Sequence, residues 1–156
     1  VHNHFKLNGF HLNKEDLCRV AYSFIKEGED FEKPVGDFLL DWFDTKSYIE
    51  MKTSGSTGTP KTIRVDKQAM VNSAIATGDF FDLKPGDKAL HCLPTKYIAG
   101  KMMFVRGFIL GLDVDFVAPS SHPMLQKSKL PVPIPLLPVI GHKTCHSSFG
   151  LPKMPI

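Results

Sequence analysis

The sequence lacks any apolar run that approaches the roughly 18 to 20 residues needed to cross a membrane. Its first residues also lack a basic cluster followed by an apolar stretch, so no signal peptide is visible. Cysteine is scarce, with only Cys18, Cys92 and Cys145 at wide spacing. An odd number at such spacing favours reduced thiols over a disulfide framework, and it predicts a cytoplasmic protein.

Acidic side chains are missing from residues 116–156, which hold four lysines, whereas residues 1–50 hold ten acidic and six basic side chains. Seven of the twelve prolines lie between residues 123 and 156. Because proline breaks both helices and sheets, no central element is expected there. A polyproline segment that binds a partner, a disordered tail and a slipped reading frame all fit this composition, and the abrupt loss of acids favours the last. We therefore expect a domain over residues 1–124 and a separate tail over residues 125–156.

The remaining composition is that of an ordinary globular domain, with 42% hydrophobic and 22% charged residues in a chain of 156. Helix signals begin at Asn13, which has Asp16 three residues on, and end at Gly28. Apolar spacing predicts further helices over residues 34–43 and 99–110, and one that starts at Asp66 with an apolar face reaching Phe80. Strands are expected over residues 48–53, 62–65, 89–93 and 114–117. Strands that alternate with helices predict an α/β fold with a largely parallel sheet and flanking helices.

The most informative stretch is a loop of glycine and hydroxyl residues between two expected strands. Its glycines, Gly55 and Gly58, permit the backbone conformations in which successive N–H groups converge on one anion. Its other donors are the hydroxyl groups of Thr53, Ser54, Ser56, Thr57 and Thr59 and the ammonium of Lys61. The loop does not follow the P-loop pattern, because Pro60 stands where that pattern needs its second glycine. The collection of donors predicts a polyphosphate site, and the simpler alternative is a flexible turn.

The nine residues Thr-Ser-Gly-Ser-Thr-Gly-Thr-Pro-Lys at positions 53–61 resemble the core signature of the adenylate-forming ligase superfamily. The resemblance implies an N-terminal portion of the large domain of such an enzyme. It also implies that the loop holds the β- and γ-phosphates of ATP while a carboxylate attacks the α-phosphorus. Coenzyme A then displaces AMP from the acyl-adenylate. Magnesium on the phosphates is implied as well.

A second segment, Leu-Pro-Thr-Lys-Tyr-Ile-Ala-Gly at positions 93–100, is similar to the acid-pocket motif of that superfamily. Tyr97 stands where many members have histidine, so the resemblance implies a pocket wall rather than an imidazole. Lys101 and Arg106 follow on the expected helix, about 140° apart, and cannot share one face. One of them is expected to bind the substrate carboxylate and the other to be solvated. Arg106 is the better candidate for binding because its neighbours are apolar.

Residues 4–124 further resemble the compact o-succinylbenzoate–CoA ligases of menaquinone biosynthesis, through the segment 97–103 and Val117-Ala118-Pro119. That resemblance implies an aromatic dicarboxylic acid as substrate. The later motifs of the superfamily, which include the ribose-binding aspartate and the adenylation lysine, do not occur after Met124. We therefore expect an incomplete fragment with no identifiable catalytic residue and no complete ligase activity of its own.

The expected partners are a small carboxylic acid, ATP and coenzyme A, with no nucleic acid, no protein-bound metal site and no assigned oligomeric state. A different class remains open, namely a non-catalytic module that binds nucleotide or phosphate. A ligase for another aryl or acyl acid also remains open. A longer reading frame that restores the later motifs would favour the enzyme.

Overall fold

A computed structural model describes residues 1–52 and 61–120 of the chain. The described elements, in chain order, are β1 (Lys6–Leu7), β2 (Phe10–His11), α1 (Lys14–Glu27), α2 (Lys33–Phe43), β3 (Tyr48–Lys52), β4 (Thr62–Asp66), α3 (Lys67–Phe81), β5 (Lys88–His91), α4 (Ile98–Leu110) and β6 (Asp113–Phe116). Residues 121–156 and the expected boundary at residue 124 lie outside the described residues, so the two-part division stays a prediction.

The main sheet has the strand order β2-β1-β6-β5. β6 runs parallel to both β1 and β5, and only β2, at the edge, is antiparallel to its neighbour. The chain passes from β5 to the parallel strand β6 through α4, which is the usual way to connect parallel strands. The α/β class and the largely parallel sheet are therefore confirmed.

The hairpin β1–β2 was not among the expected strands, although the sequence carries a signal for it. Asn8 and Gly9 both have positive φ, 51° and 82°, which is the backbone of the tight hairpin turns that favour Asn-Gly. The Asn8 side chain also accepts a hydrogen bond from the backbone N–H of Phe116 at 2.7 Å. The turn is therefore tied to the far end of β6, 108 residues along the chain.

The expected helices are present, and their caps are those indicated by the sequence. Asn13 and Asp16 form a reciprocal capping box at the start of α1, which stops before Gly28. The Asp66 carboxylate accepts from the N–H of Ala69 at the start of α3. One detail is wrong: Phe80 does not belong to the apolar face of α3 but is 82% exposed, because α3 ends one residue later with its buried positions on another side.

The core lies between the sheet and the helices and is rich in aromatic rings. Phe5, Phe38, Phe104 and Phe108 are each almost completely buried. α4 approaches the sheet closely at Gly107, where an added Cβ would lie 2.9 Å from a methyl group of Val114. The expected core role of residues 102–104 holds for Met102 and Phe104, which are buried.

Cys18 and Cys92 are free thiols, and Cys145 lies outside the described residues. No helix within residues 1–52 and 61–120 is long and apolar enough to cross a membrane.

Candidate functional site

The glycine- and hydroxyl-rich loop closes a separate two-stranded ribbon formed by β3 and β4. The two strands are antiparallel, and their last pair joins Lys52 to Thr62, so residues 53–61 connect the strand ends at the tip of the ribbon. Thr53, Ser54, Gly55, Ser56, Thr57, Gly58 and Thr59 lie outside the described residues. Lys61 is described and exposed. The strands on either side are those that the sequence predicts.

The ribbon carries charged and aromatic contacts across its two strands. Nε of Arg64 donates to Oε1 of Glu50 at 3.0 Å, and the guanidinium lies 4.6 Å from the ring centre of Tyr48. These are exposed contacts and contribute little to stability by themselves. At its base, the ribbon continues directly into α3 through the capping residue Asp66.

The acid-pocket segment begins at the carboxyl end of β5, where ligands of parallel α/β sheets usually bind. β5 ends at His91, two residues earlier than expected, and the chain turns there toward α4. Tyr97 is the N-cap residue of α4 and is 47% exposed. The Lys96 ammonium lies 5.0 Å from the ring centre of Tyr97. Tyr97 is therefore accessible to a ligand at this edge of the sheet.

Lys101 is buried against α2, with 8% of its surface exposed. Its ammonium lies 5.0 Å from the ring centre of Phe38. Burial lowers the pKa of Lys101, and the carboxylates of Asp41 and Asp37 oppose that lowering. The expectation that one of the two cations on α4 is solvated is therefore wrong for Lys101. Its surroundings favour a contact that holds α4 to α2.

Arg106 faces the opposite neighbour, α3. Its Nε donates to the hydroxyl of Thr77 at 3.3 Å, and one terminal nitrogen lies 3.9 Å from the sulfur of Met103. None of the ion pairs between described residues involves Arg106, and Asp113, a possible partner, pairs instead with Lys88. The different faces expected for Lys101 and Arg106 are thus observed.

Arg106 lines an open groove of about 540 Å³ between α3, α4 and the amino end of β5. The groove has an apolar surface, which includes Phe81 and Met103, and a charged rim that includes Lys88 and Asp87. An apolar surface next to a guanidinium suits an apolar molecule that bears an anionic group.

The structure does not bring all the predicted acid-binding residues together. Tyr97 and Arg106 are nine residues apart on α4, so about 13 Å of helix axis separates them. Tyr97 lies at the carboxyl end of β5, whereas the groove at Arg106 lies near its amino end. The two positions are also about 180° apart around the helix, so one small ligand is not expected to contact both residues.

α2 links the other predicted parts of the site. Near its end, Asp44 accepts from the ammonium of Lys67, the first residue of α3, at 2.7 Å. Phe38, six residues earlier, contacts Lys101 at the start of α4. Between them, burial and the nearby Asp44 raise the pKa of Asp41. The amino ends of α3 and α4, which follow the two predicted motifs, therefore both lie beside the carboxyl-terminal half of α2.

Sequence reasoning missed two polar residues that the structure buries beside the acid-pocket segment, His91 and Thr95. His91 is fully inaccessible, and its Nε2 lies 3.3 Å from the Thr95 hydroxyl. Burial lowers the pKa of His91 to about 4, so the imidazole is neutral near pH 7. The available signal was a single histidine that follows Ala89 and Leu90, directly before Cys-Leu-Pro.

The chain is similar to a solved structure of an acyl-CoA synthetase (AMP-forming)/AMP-acid ligase II-like protein from Dyadobacter fermentans. The two share 33% identity and a TM-score of 0.59 over 69% of this chain, which spans only 31% of the Dyadobacter protein. Neither a protein-family model nor a curated protein matches the chain. The Dyadobacter similarity supports the superfamily that the sequence resembles.

A second solved structure is a double mutant of o-succinylbenzoate CoA synthetase from Bacillus subtilis, bound with its product analogue. It shares 26% identity over 51% of this chain and 16% of its own length. Its TM-score of 0.45 does not establish a common fold. The o-succinylbenzoate specificity therefore gains no support from this similarity.

Proposed function

We propose that this chain is part of an ATP-dependent, AMP-forming acid–CoA ligase. The observation that carries the proposal is the nine-residue phosphate-binding signature, which connects β3 to β4 in a chain whose fold is similar to that of an AMP-forming synthetase. In the proposed reaction, a carboxylate oxygen attacks the α-phosphorus of ATP and pyrophosphate leaves. The thiol of coenzyme A then attacks the acyl carbon and AMP leaves.

The residues of this chain would bind and orient the nucleotide rather than carry the chemical step. Hydroxyl and backbone N–H groups of residues 53–59 would surround the β- and γ-phosphates, and Lys61 would add positive charge at the end of the loop. Magnesium would neutralise the phosphates and keep mostly phosphate and water oxygens as ligands. Within the described residues there is no group of three histidine, cysteine or acidic side chains that could hold a metal ion.

The acid would bind at the surface formed by α4 and the segment before it. Tyr97 is the accessible candidate at the carboxyl end of β5, and Arg106 is the candidate for a substrate carboxylate in the groove near the amino end of β5, so the two residues mark alternative positions for the acid. Lys101, which the sequence places beside them, is directed toward Phe38 and Asp41 and is better suited to fixing α4. An aromatic dicarboxylic acid such as o-succinylbenzoate is the proposed substrate because of the sequence resemblance at residues 97–103 and 117–119. The groove, with apolar surface next to a guanidinium, is compatible with an apolar acid of any kind.

Nucleotide binding is tested by titrating the 156-residue chain with Mg·ATP and comparing it with Lys61→Ala. Loss of a charged contact to phosphate is expected to weaken binding about 10- to 100-fold, since such a contact contributes about 1.5–3 kcal/mol. Lys26→Ala, which removes an exposed lysine from the last turn of α1, is the matched control and should bind as wild type. Equal affinities for wild type and Lys61→Ala would contradict the phosphate role of Lys61.

Ligase activity is tested separately, by pyrophosphate release with o-succinylbenzoate, ATP and coenzyme A. The assay uses this chain and any longer protein that contains it. A panel of aryl and acyl acids should be tried with both proteins. If both bind Mg·ATP but release no pyrophosphate with any acid, a non-catalytic nucleotide-binding module is favoured instead.

A further inference from the structure

His91 occupies an unusual place for a histidine, at the carboxyl end of a parallel strand and with none of its surface exposed. Its ring packs edge-on against Phe104 at a centroid distance of 4.4 Å, and against Phe116 at 5.3 Å. A buried polar group needs hydrogen-bond partners, because leaving them unmade costs free energy. Both ring nitrogens have partners, and both partners belong to the segment that follows, residues 92–97.

The two hydrogen bonds indicate which nitrogen of the neutral ring carries the proton. The backbone N–H of Leu93 donates to Nδ1 of His91 at 3.4 Å, so Nδ1 carries no proton. The neutral imidazole must then carry its proton on Nε2, which donates to the Thr95 hydroxyl at 3.3 Å. Thr95 is itself buried, with 2% of its surface exposed. One side chain therefore holds the segment at two points, two and four residues downstream.

The segment of residues 92–97 in turn determines where α4 begins. The carbonyl of Pro94 accepts from the N–H of Tyr97 at 3.1 Å. The helix packs so closely on this turn that an added Cβ at Gly100 would lie 2.5 Å from the same carbonyl oxygen. Because this contact is between backbone groups, it cannot be relieved by a side-chain rotation. The position of Tyr97 therefore depends on the path of residues 92–96.

We infer that His91 is a positioning residue for the acid-binding surface, whose neutral imidazole holds residues 93 and 95 so that Leu93, Tyr97 and Ile98 are presented to a ligand. These three side chains are all exposed, in contrast to the buried ring that fixes them. Their role as an acid-binding surface rests on the proposed function. The clamp itself rests only on contacts between described residues.

The first experiment tests the clamp in the 156-residue chain. Nitrogen-15 NMR of His91 is expected to show a neutral ring protonated on Nε2. His91→Phe keeps a ring for Phe104 and Phe116 but removes both hydrogen bonds. Exchange of the Leu93 and Tyr97 amides should speed up at least tenfold, while core amides of α1 keep their protection. If the ring serves only for packing, both sets of amides will keep their protection, and that result overturns the inference.

Two further variants separate hydrogen bonding from fold stability. Thr95→Val removes the hydroxyl and should raise the same local exchange rates, with no further effect when it is combined with His91→Phe. Thr95→Ser keeps the hydroxyl and should behave as wild type. If His91→Phe fails to fold, Thr95→Val and the NMR tautomer still test the clamp. Independent, additive effects of the two substitutions, or a ring protonated on Nδ1, would overturn it.

The consequence for the proposed reaction is measured in a protein with acid-dependent pyrophosphate release. Both His91→Phe and Thr95→Val should raise the KM for the acid about tenfold and leave the KM for ATP unchanged. Equal changes in the KM for the acid and the KM for ATP, or no change in either, would overturn the positioning role. If wild type releases no pyrophosphate with any acid, the proposed function fails, and the exchange measurements still decide the clamp.

Discussion

At the residue scale, His91 and Lys101 are two polar side chains placed in apolar surroundings, and they are accommodated in different ways. His91 is neutral, with burial as the cause of its low pKa and two hydrogen bonds as compensation. Lys101 is partly compensated by Asp41 and Asp37, which oppose the effect of burial on its pKa. The contrast follows from chemistry, since an imidazole loses its charge far more easily than an ammonium does.

The depressed pKa of His91 predicts that the chain loses stability in mild acid. The unfolded histidine titrates near 6.5 and the folded one near 4, so the unfolded state binds the extra proton first. The contribution of His91 to the free energy of unfolding is fully present above pH 6.5 and is lost progressively as the pH falls through 4. The free energy of unfolding should fall by up to about 1.4 kcal/mol per pH unit, and the total loss should be at most about 3 kcal/mol. Urea denaturation at several pH values measures it.

His91→Phe provides the control for that pH dependence, because it removes the titrating group and keeps a ring in its place. The raised pKa of Asp41 acts in the opposite direction, so the difference between wild type and variant isolates His91. Parallel stability curves for the two proteins between pH 4 and 7 would show that His91 does not titrate as inferred.

Arg106→Met is predicted to affect the acid substrate and not the fold. No described carboxylate pairs with Arg106, and methionine can fill the same space beside Met103 and Phe81. In an active protein, the KM for the acid should rise and the KM for ATP should stay near normal. Loss of a charged contact costs about 2–5 kcal/mol, so a dicarboxylic acid should lose most of its advantage over an aromatic monocarboxylic acid. Pyrophosphate release with both acids measures the ratio.

The matched control is Lys88→Met, which removes a cation from the rim of the same groove. Its ammonium already pairs with Asp113, so its loss should lower the melting temperature and leave the substrate ratio unchanged. If Arg106→Met instead lowers the melting temperature and keeps the ratio, then Arg106 is structural and the acid binds elsewhere, with Tyr97 as the nearest alternative.

At the element scale, the short hairpin β1–β2 is connected to strand β6 of the main sheet at two points, although each of its strands has only two residues. β1 pairs with β6 in the main sheet, and the turn residue Asn8 accepts a hydrogen bond from Phe116 at the end of β6. Phe116 in turn packs against His91. The first residues of the chain are thus connected, through one strand end, to the ring that holds the acid-pocket segment.

Asn8→Ala is predicted to destabilise the chain by about 1–3 kcal/mol, because it leaves the N–H of Phe116 without its acceptor. Alanine also adopts a positive φ less readily than asparagine does, which adds to the cost. Urea denaturation measures the change. Asn72→Ala is the control, since Asn72 is exposed on α3 and bonds only to Gln68 among the contacts described. Equal stabilities for the two variants would contradict the role of the hairpin turn.

At the scale of the whole molecule, the four-stranded sheet and the four described helices enclose the core, to which Ile49 and Met51 of the ribbon β3–β4 also contribute. The glycine- and hydroxyl-rich segment that connects the two strands of the ribbon lies outside the described residues. The chain spans 31% of the Dyadobacter synthetase-like protein, so the ligase activity stays a proposal. The sequence of the proline-rich end lacks the alternating strand and helix patterns that the sequence of the core has.

Limited proteolysis is predicted to remove the end of the chain first and to leave a product that ends near Pro123. The reason is compositional, since the proline density of residues 125–156 disfavours both helices and sheets. Mass spectrometry of the early products locates the cuts. A chain truncated after residue 124 is the control and should give the same stable product. A full-length chain that resists the protease over residues 125–156 would contradict the prediction.

The sequence alone determined the elements whose signals are local. The caps at Asn13 and Asp66, the strands beside the phosphate signature and the opposite faces of Lys101 and Arg106 all follow from short-range geometry, and the structure confirms them. The hairpin turn at Asn8 and Gly9 also has a local signal, since Asn-Gly favours the positive φ of both positions. The α/β class followed because alternating strands and helices admit few other layer arrangements.

Only the tertiary structure decided which side chains become partners. Lys101 is buried because α2 packs on that face of α4, and no pattern within α4 itself contains this information. His91 is neutral because the chain turns back over it after β5, so that residues 93 and 95 meet a ring already enclosed by Phe104 and Phe116. Burial, pKa and hydrogen-bond partners depend on contacts between distant segments, and such contacts exist only once the elements have packed.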